Sequence, residues 1–402
     1  MGINDVMIEE WERGWHGSDK LICPDCVDDD YLKAVVKDVA VSAQECSFCG
    51  AAPAAEFDVF MKALMVGVTN MFVQADDAGT PWESGYVFET YQPYEIANEF
   101  IWVAVEDHAD EVVEEIREHL ADKTYASRWW IEPDRAYSSA WQEFREQILH
   151  RTRFVFWASK DNADQHVGAG EVPVARVLNA IGELLIKFDL ITTIPAGTSL
   201  RRARGHARKQ DSEGWGAADL GTNVPKSSTG STRMSPSGIP LFYGADDIDT
   251  ALAEVASADS SEFFTAGQFV TTVPMTVVDL TSVPAVPSIF DPKLGRWERE
   301  LIFLNDLVKE LSQPIDTARS HLDYVPTQVF CEYFLRAFDE ADISGLAWKS
   351  AAAASGGRCV ALDVTHQDCV DVADGAADRP QLELVAGSIT VHQRRTDEFR
   401  QL

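Results

Sequence analysis

Residues 232–255, TRMSPSGIPLFYGADDIDTALAEV, read as a loop, a strand, a turn and a helix in direct succession. Arg233 opens the unit beside Met234, Ser235 and Pro236. Ser237 and Gly238 form a turn pair, because glycine tolerates backbone angles that other residues avoid. Ile239, Leu241 and Tyr243 alternate and would share one face of a short strand. Gly244 is expected to break that strand. Asp246 or Asp247 can cap the next helix, since a short carboxylate accepts the N–H groups left free in a first helical turn. Ile248, Ala251, Leu252 and Val255 then fall at helical spacing on one apolar face, with Glu254 at its flank. One compact unit thus offers an arginine, a tyrosine and a carboxylate on three consecutive elements. By pattern alone, a surface arginine, a core tyrosine and a solvated glutamate would read the same way.

Outward from this unit the texture is mixed α and β. Residues 194–200 (IPAGTSL) lead into Arg201, Arg202 and Arg204. Residues 210–231 are rich in Gly, Ser and Thr and read as a flexible loop able to close over a ligand. Residues 263–280 alternate and are β-branched, which predicts strands. Residues 297–311 are helical in pattern. Residues 324–335 (YVPTQVFCEYFL) combine a proline-led helix start with an apolar face. Residues 345–350 (GLAWKS) bring a strand to its end at Ser350. Gly356–Gly357 then make a turn into another strand at 360–363.

The string Arg-x4-Gly-x-Pro-x2-Tyr, from Arg233 to Tyr243, followed by Ala-Leu-Ala-Glu ending at Glu254, resembles the central signature of the RES domain. Gly-Thr-x-Leu-x-Arg, ending at Arg202, is similar to that family's opening strand, and Ser350 matches its serine in local setting. The resemblance covers about residues 194–365, with its landmarks in order. It departs after Ser350, where Ala351 to Ala354 stand in place of a short polar residue and a further arginine. Known members of the family are toxins of bacterial toxin–antitoxin pairs that degrade NAD. The resemblance therefore implies a toxin-type enzyme cleaving the nicotinamide N-glycosidic bond of NAD, as a glycohydrolase or phosphorylase. An ADP-ribosyltransferase and an NAD-sensing regulatory module are the alternatives. It assigns Arg233, Tyr243, Glu254 and Ser350 to catalysis, and Arg202 with Arg204 to binding the substrate. An antitoxin or regulatory protein is the partner it suggests, and homo-oligomerisation is left open.

The chemistry suits those residue types. NAD carries two charges on its pyrophosphate and a cationic nicotinamide. Breaking the glycosidic bond builds oxocarbenium character on the ribose while nicotinamide leaves neutral. A site must then hold the pyrophosphate and offset positive charge beside the sugar. Arginines suit the first task through permanent charge and paired donors. A glutamate suits the second, and a tyrosine can stack on or bond to the ribose. With no histidine base near it in sequence, Ser350 is read as a hydrogen-bond donor rather than a nucleophile. No redox cofactor is required.

The chain of 402 residues carries a net charge of −31, with 46% hydrophobic residues. That length suffices for two or three domains with real cores. So acidic a chain disfavours a broad electrostatic grip on nucleic acid. Residues 201–209 (RRARGHARK) form a basic island, either a seat for a small polyanion or a solvated loop. No apolar run approaches the length needed to cross a bilayer, and the polar start MGINDVMIEEWERGW shows no signal peptide. A cytoplasmic protein is expected.

The N-terminal quarter holds Cys23, Cys26, Cys46 and Cys49 as two Cys-x2-Cys pairs separated by 19 residues. This spacing reads as a structural Zn²⁺ site, with four thiolates closing a tetrahedron and no open position for water. Free thiols are the alternative, and disulfides are disfavoured in the cytosol. Cys331, Cys359 and Cys369 read as buried small hydrophobes. Between the cysteine pairs, residues 31–36 read as a helix. Phe57 onward, 93–120, 139–150 and 174–191 are also helical in pattern, while 70–90 reads as a turn-rich insert. The layout resembles the HEPN-type domain attached to some RES proteins. Arg145 and His150 fit the spacing of HEPN ribonuclease pairs, but Glu146 follows Arg145 where active members place Asp or Asn, so this activity ranks last. The fold class expected is α+β. An N-terminal zinc knuckle (1–55) and a HEPN-like helical domain (56–192) precede a RES-type mixed α/β domain (193–402) resembling the ADP-ribosyltransferase fold.

Overall fold

The cysteine knuckle forms where two short strands meet. β1 (Leu21–Ile22) pairs antiparallel with β2 (Ala55–Glu56), which brings the two Cys-x2-Cys turns together. The structure is a computed structural model describing residues 3–75, 77, 90–158, 168, 170–228, 230–313, 320–354, 356–372, 380–395 and 398–401. Most of the turn-rich 70–90 stretch lies outside these residues. The chain divides into two compact units. One comprises Met1–Ala136, Gly168–Glu171 and Ala285–Phe303, and the other Tyr137–Val167, Val172–Pro284 and Leu304–Leu402.

In the first unit, helix Asp30–Val39 starts at Asp29, whose side chain accepts the Leu32 N–H at 2.8 Å. Its i, i+4 pair Leu32 and Val36 is fully buried. Helix Phe57–Met71 buries Phe57, Phe60, Met61, Leu64, Met65 and Val68, a stripe at helical spacing. Cys23, Cys26 and Cys46 belong to the same hydrophobic cluster as Phe57, Phe60, Leu64 and Phe100. The boundary drawn at residue 55 therefore does not separate two cores. The cause is local: the Phe57 N–H donates to the Lys20 carbonyl, so the knuckle and the first turn of the helix are one hydrogen-bonded piece. The amphipathic stretch at 93–120 is two helices, Pro93–Glu99 and Ala109–His119, joined through two 3₁₀ turns.

Three short strands, β3 (Phe72–Gln74), β4 (Thr90–Tyr91) and β5 (Tyr125–Ser127), form a small sheet in the first unit, with β5 in the middle. The second unit is built on a mixed sheet. Its strands are β6 (Ile191–Ile194), β7 (Ser199–His206), β8 (Phe242–Ala245), β9 (Phe263–Thr271), β10 (Met275–Asp279), β11 (Gly345–Lys349), β12 (Arg358–Leu362), β13 (Cys369–Asp371), β14 (Leu382–Leu384), β15 (Thr390–Arg395) and β16 (Glu398–Gln401). Their order is β13-β14-β9-β7-β8-β12-β11-β10-β6, with β15 on β9 and β16 on β15. One face buries Leu200, Phe242, Phe269, Val277, Ala347, Val360 and Leu362 in a single cluster. Helix Ile248–Ala258 packs on β7, β8, β9 and β12.

Several expectations change here. The strand after Arg233 begins at Phe242, so Ile239 lies outside it and is exposed. Gly244 sits inside the strand rather than ending it. A Cβ there would come within 3.2 Å of the Leu200 Cβ, so the position favours a residue without one. Residues 210–231 are not a structureless loop: they hold helix Ala217–Leu220 between 3₁₀ turns at Lys209–Ser212 and Pro225–Ser227. The apolar helix at 174–191 ends at Lys187. Asp189 takes a left-handed φ of 54°, and Ile191 starts a strand. Most of the basic island is strand β7, flanked on both sides, and not a solvated loop.

Candidate functional site

Register decides what faces what. Across the sheet, Gln268, Arg201, Ala245, Cys359 and Trp348 stand opposite one another in one row. Directly opposed residues in antiparallel strands project to the same face. That face is the one away from the apolar cluster, and helix Ile248–Ala258 lies over part of it. Arg201, Ala245, Cys359 and Trp348 line a cleft of about 330 Å³, together with Arg233, Tyr243, Glu254, Asp259 and Tyr324 among others.

The cleft lies where the sheet is least continuous. β7 and β8 share a single paired position, Arg201 with Ala245. Arg202 leaves β7 toward the opposite face. Its guanidinium lies 4.8 Å from the Phe242 ring centroid, and Nη1 donates to the Tyr243 carbonyl at 2.8 Å. Arg202 borders the cleft but is only 9% exposed, and its Nε finds no partner among the described residues. Burial first, then the neighbouring Arg204, lowers its affinity for the proton, to a pKa of about 9. Arg204 is not among the cleft's lining residues. It donates to the Asn223 side chain at 2.7 Å and to the Gly221 carbonyl at 2.5 Å.

Arg233, Tyr243 and Glu254 do converge on the cleft. The Tyr243 hydroxyl accepts the Met234 N–H at 3.1 Å and bonds the Thr232 hydroxyl at 2.5 Å. Burial pushes its pKa up to about 12, so it stays a neutral phenol. Gln328 donates to the Thr232 carbonyl at 2.7 Å and so fixes the loop that carries Arg233. Arg233 itself donates to the carbonyls of Leu311 at 2.7 Å and Gln313 at 2.6 Å. Those carbonyls end helix Glu298–Ser312, where the helix dipole favours a cation.

Glu254 projects from the helix capped by Asp247, whose side chain accepts the Thr250 N–H at 2.7 Å. Gly357 lies against this cap. A Cβ there would approach the Thr250 Oγ1 to 2.1 Å, so the Gly-Gly turn lets the β11–β12 connection reach the helix. That connection delivers Ser350, whose hydroxyl donates to Glu254 Oε1 at 2.5 Å. The Ser350 Oγ in turn accepts the N–H groups of Ala352 at 3.2 Å and Ala353 at 3.0 Å. Ser350 is buried and holds the carboxylate from behind rather than lining the cleft. Cys359 lines the same cleft as Glu254, and its thiol pKa is pushed up, first by burial and then by the charge of Glu254. Among the described residues, no arginine or lysine forms an ion pair with Glu254.

Sequence reasoning missed Arg201 and Cys359. The signal for Arg201 was the alternation of β7. Leu200, Arg202 and Arg204 share the face of the apolar cluster, while Arg201, Ala203 and Gly205 share the other and leave room beside a cation. Cys359 gave no sequence signal beyond a buried apolar position.

In the first unit the four cysteine sulfurs lie within 4.8 Å of one another. Cys23 is 3.6 Å from Cys26 and 3.4 Å from Cys49, and Cys26 is 3.7 Å from Cys46. A tetrahedral Zn²⁺ with bonds of ~2.3 Å has sulfur–sulfur edges of ~3.8 Å, so the set fits that ion. Backbone N–H groups of Cys23 and Ala51 point at the sulfurs of Cys46 and Cys49, as suits thiolates.

The HEPN-type pair does not converge. Five residues along a helix turn by about 140°, so Arg145 and His150 leave different faces. Arg145 pairs with Glu310 at 2.9 Å, and His150 is exposed beside Glu146. We expect His150→Ala to leave any nucleotide-cleaving activity of the protein within about twofold of wild type, as for a surface change away from the site. Loss of activity in that variant, with folding intact, would move the ribonuclease reading to first place.

The model of the RES domain matches residues 199–384, and the model of HEPN/RES N-terminal domain 1 matches residues 40–162. The chain is thus a RES-domain protein with a RES-associated N-terminal region. A search of curated proteins returns no match. Among the described residues, no helix is long and apolar enough to cross a membrane.

Proposed function

We propose that the cleft cleaves the nicotinamide N-glycosidic bond of NAD and that the four cysteines hold a structural Zn²⁺. The observation that carries the first reading is Glu254: a carboxylate fixed by Ser350, without a cationic partner among the described residues, at the wall of a cleft lined by three arginines and two tyrosines. An arginine paired to that carboxylate would cancel its charge. Held by a neutral donor, the charge stays available to the cationic ribose that forms as nicotinamide leaves. Tyr243, neutral and fixed by Thr232 and Met234, can pack its ring against the ribose. Water or phosphate then takes the anomeric carbon, which makes the enzyme a glycohydrolase or a phosphorylase. Transfer to a protein side chain is the alternative outcome of the same cleavage.

The pyrophosphate contact falls to Arg201 in this reading. Arg202, Arg204 and Arg233 are engaged with carbonyls, whereas the Arg201 guanidinium has no protein partner among the described residues. Purified protein incubated with NAD should release nicotinamide. Arg201→Ala should raise KM about 10- to 100-fold with kcat little changed, the effect of losing a charge-assisted contact made equally to ground and transition states. No nicotinamide release under any phosphate concentration would sink the enzymatic reading. An unchanged KM would remove Arg201 from it.

A further inference from the structure

We infer that Asp259 is the specificity-determining residue of the cleft: its carboxylate accepts the hydroxyls of the adenosine ribose and repels a phosphate on that ring, so that the site selects NAD over NADP. The inference names which dinucleotide the cleft takes and rests on the NAD-cleavage reading. Asp259 lines the cleft just past the last turn of helix Ile248–Ala258, five residues after Glu254. That spacing carries it about 7.5 Å further along the helix axis. Its carboxylate is half-buried and held from two sides. Oδ1 accepts the Ser261 N–H at 2.8 Å. Oδ2 lies against Gly205 of β7, where a Cβ would collide with it. A glycine inside a strand weakens it and marks a close approach of another group, and here that group is the carboxylate.

The register of β7 sets the order of contacts. Arg201, Ala203 and Gly205 share the cleft face, so the seat of the carboxylate lies about 13 Å along the strand from the Arg201 backbone. Between them the lining is small: Ala203 from the strand, Val255 and Ala258 from the helix. A dinucleotide with its nicotinamide ribose at Glu254 and its pyrophosphate on Arg201 therefore brings its adenosine ribose toward Asp259. That ribose offers two hydroxyl donors in NAD, and an ionised carboxylate only accepts. Among the described residues no cation pairs with the Asp259 side chain, so its charge and its Oδ2 stay available. In NADP the 2′-hydroxyl carries a phosphate, which gives the carboxylate no proton and sets like charge beside it. Arg394 donates through Nη1 to the Asp259 carbonyl at 3.1 Å, but it is not among the residues lining the cleft. An arginine turned inward here would welcome the phosphate, and a carboxylate stands there instead.

The test uses the full-length protein and two readouts. In steady-state nicotinamide release, kcat/KM for NAD should exceed that for NADP by at least about a hundredfold, from a lost charge-assisted hydrogen bond together with like-charge repulsion. Asp259→Asn keeps an acceptor for the Ser261 N–H and removes the charge. It should narrow that ratio about tenfold or more, mainly by lowering KM for NADP. A purely structural role would depress both substrates alike. Calorimetric titration of the wild type reads the adenosine end without catalysis and depends on no variant. ADP-ribose should bind at least about tenfold more tightly than ADP-ribose phosphorylated at the adenosine 2′-hydroxyl, on the scale of one hydrogen bond to a charged group. Equal use of NAD and NADP by the wild type overturns the inference, as does an unchanged ratio in a folded Asn variant. Discrimination between the two ADP-riboses in a protein that releases no nicotinamide keeps the role of Asp259 and removes the cleavage reading. Nicotinamide release without discrimination does the reverse.

Discussion

Glu254→Gln should slow nicotinamide release by at least about a hundredfold, because one preorganised charge facing a developing charge in a water-poor site commonly contributes that much. The substitution keeps the shape of the side chain and an oxygen for the Ser350 hydroxyl, so the fold should be retained. It removes only the negative charge. The loss should fall on kcat, since the charge opposes a cation that is fully formed only in the transition state. The measurement is nicotinamide against time for both proteins, with and without phosphate. Equal rates would reject Glu254 as the electrostatic partner of the ribose. A rate that rises with phosphate and yields ADP-ribose 1″-phosphate would identify a phosphorylase, and phosphate-independent ADP-ribose a glycohydrolase.

Removing the metal should be the larger event for the first unit. Metal analysis of protein purified without chelator should find about one Zn²⁺ per chain. Binding of a structural zinc contributes roughly 10–16 kcal/mol in small zinc modules, as much as the whole stability of an ordinary domain. Three of the cysteines lie in the same cluster as Phe57 and Phe60, so loss of the ion would leave thiols repacking inside that core. Chelator treatment, or Cys23→Ser, should therefore abolish the cooperative thermal transition of this unit and expose apolar surface to a fluorescent dye. Full metal occupancy in the Cys23→Ser variant, or an unshifted transition after chelation, would show that the knuckle stands without zinc.

The parts legible in the sequence were those set by short-range chemistry. The Cys-x2-Cys turns, the Asp247 cap, the strands at 263–280 and the proline-led helix at 325–336 each depend on a few neighbouring residues, and each is found in the structure. The landmarks Arg233, Tyr243 and Glu254 also meet in one cleft. What was not legible depends on register between distant strands. Arg201 and Arg202 differ by one position, yet one faces the cleft and the other crosses to Phe242. Only the pairing of Arg201 with Ala245 fixes which is which. Ser350 was expected to offer its hydroxyl to substrate. Its contact with Glu254, 96 residues away, assigns that hydroxyl to the protein instead. The tie between the knuckle and the next helix was hidden for a related reason, since it is made by a strand pair of two residues on each side, Leu21–Ile22 with Ala55–Glu56, distant in sequence.

The single rung between β7 and β8 has one more consequence. Had the register continued, Ala203 would stand opposite Tyr243, and the two strands would zip closed. Instead a side chain caps the Tyr243 carbonyl, so Arg202 works as a spacer wedged into an unfinished seam. The hollow is thus a place where the sheet is prevented from completing itself. The apolar cluster and the helix Ile248–Ala258 bind the two sides together where the ladder does not, so the backbone edge left unpaired at this seam is free to meet a guest.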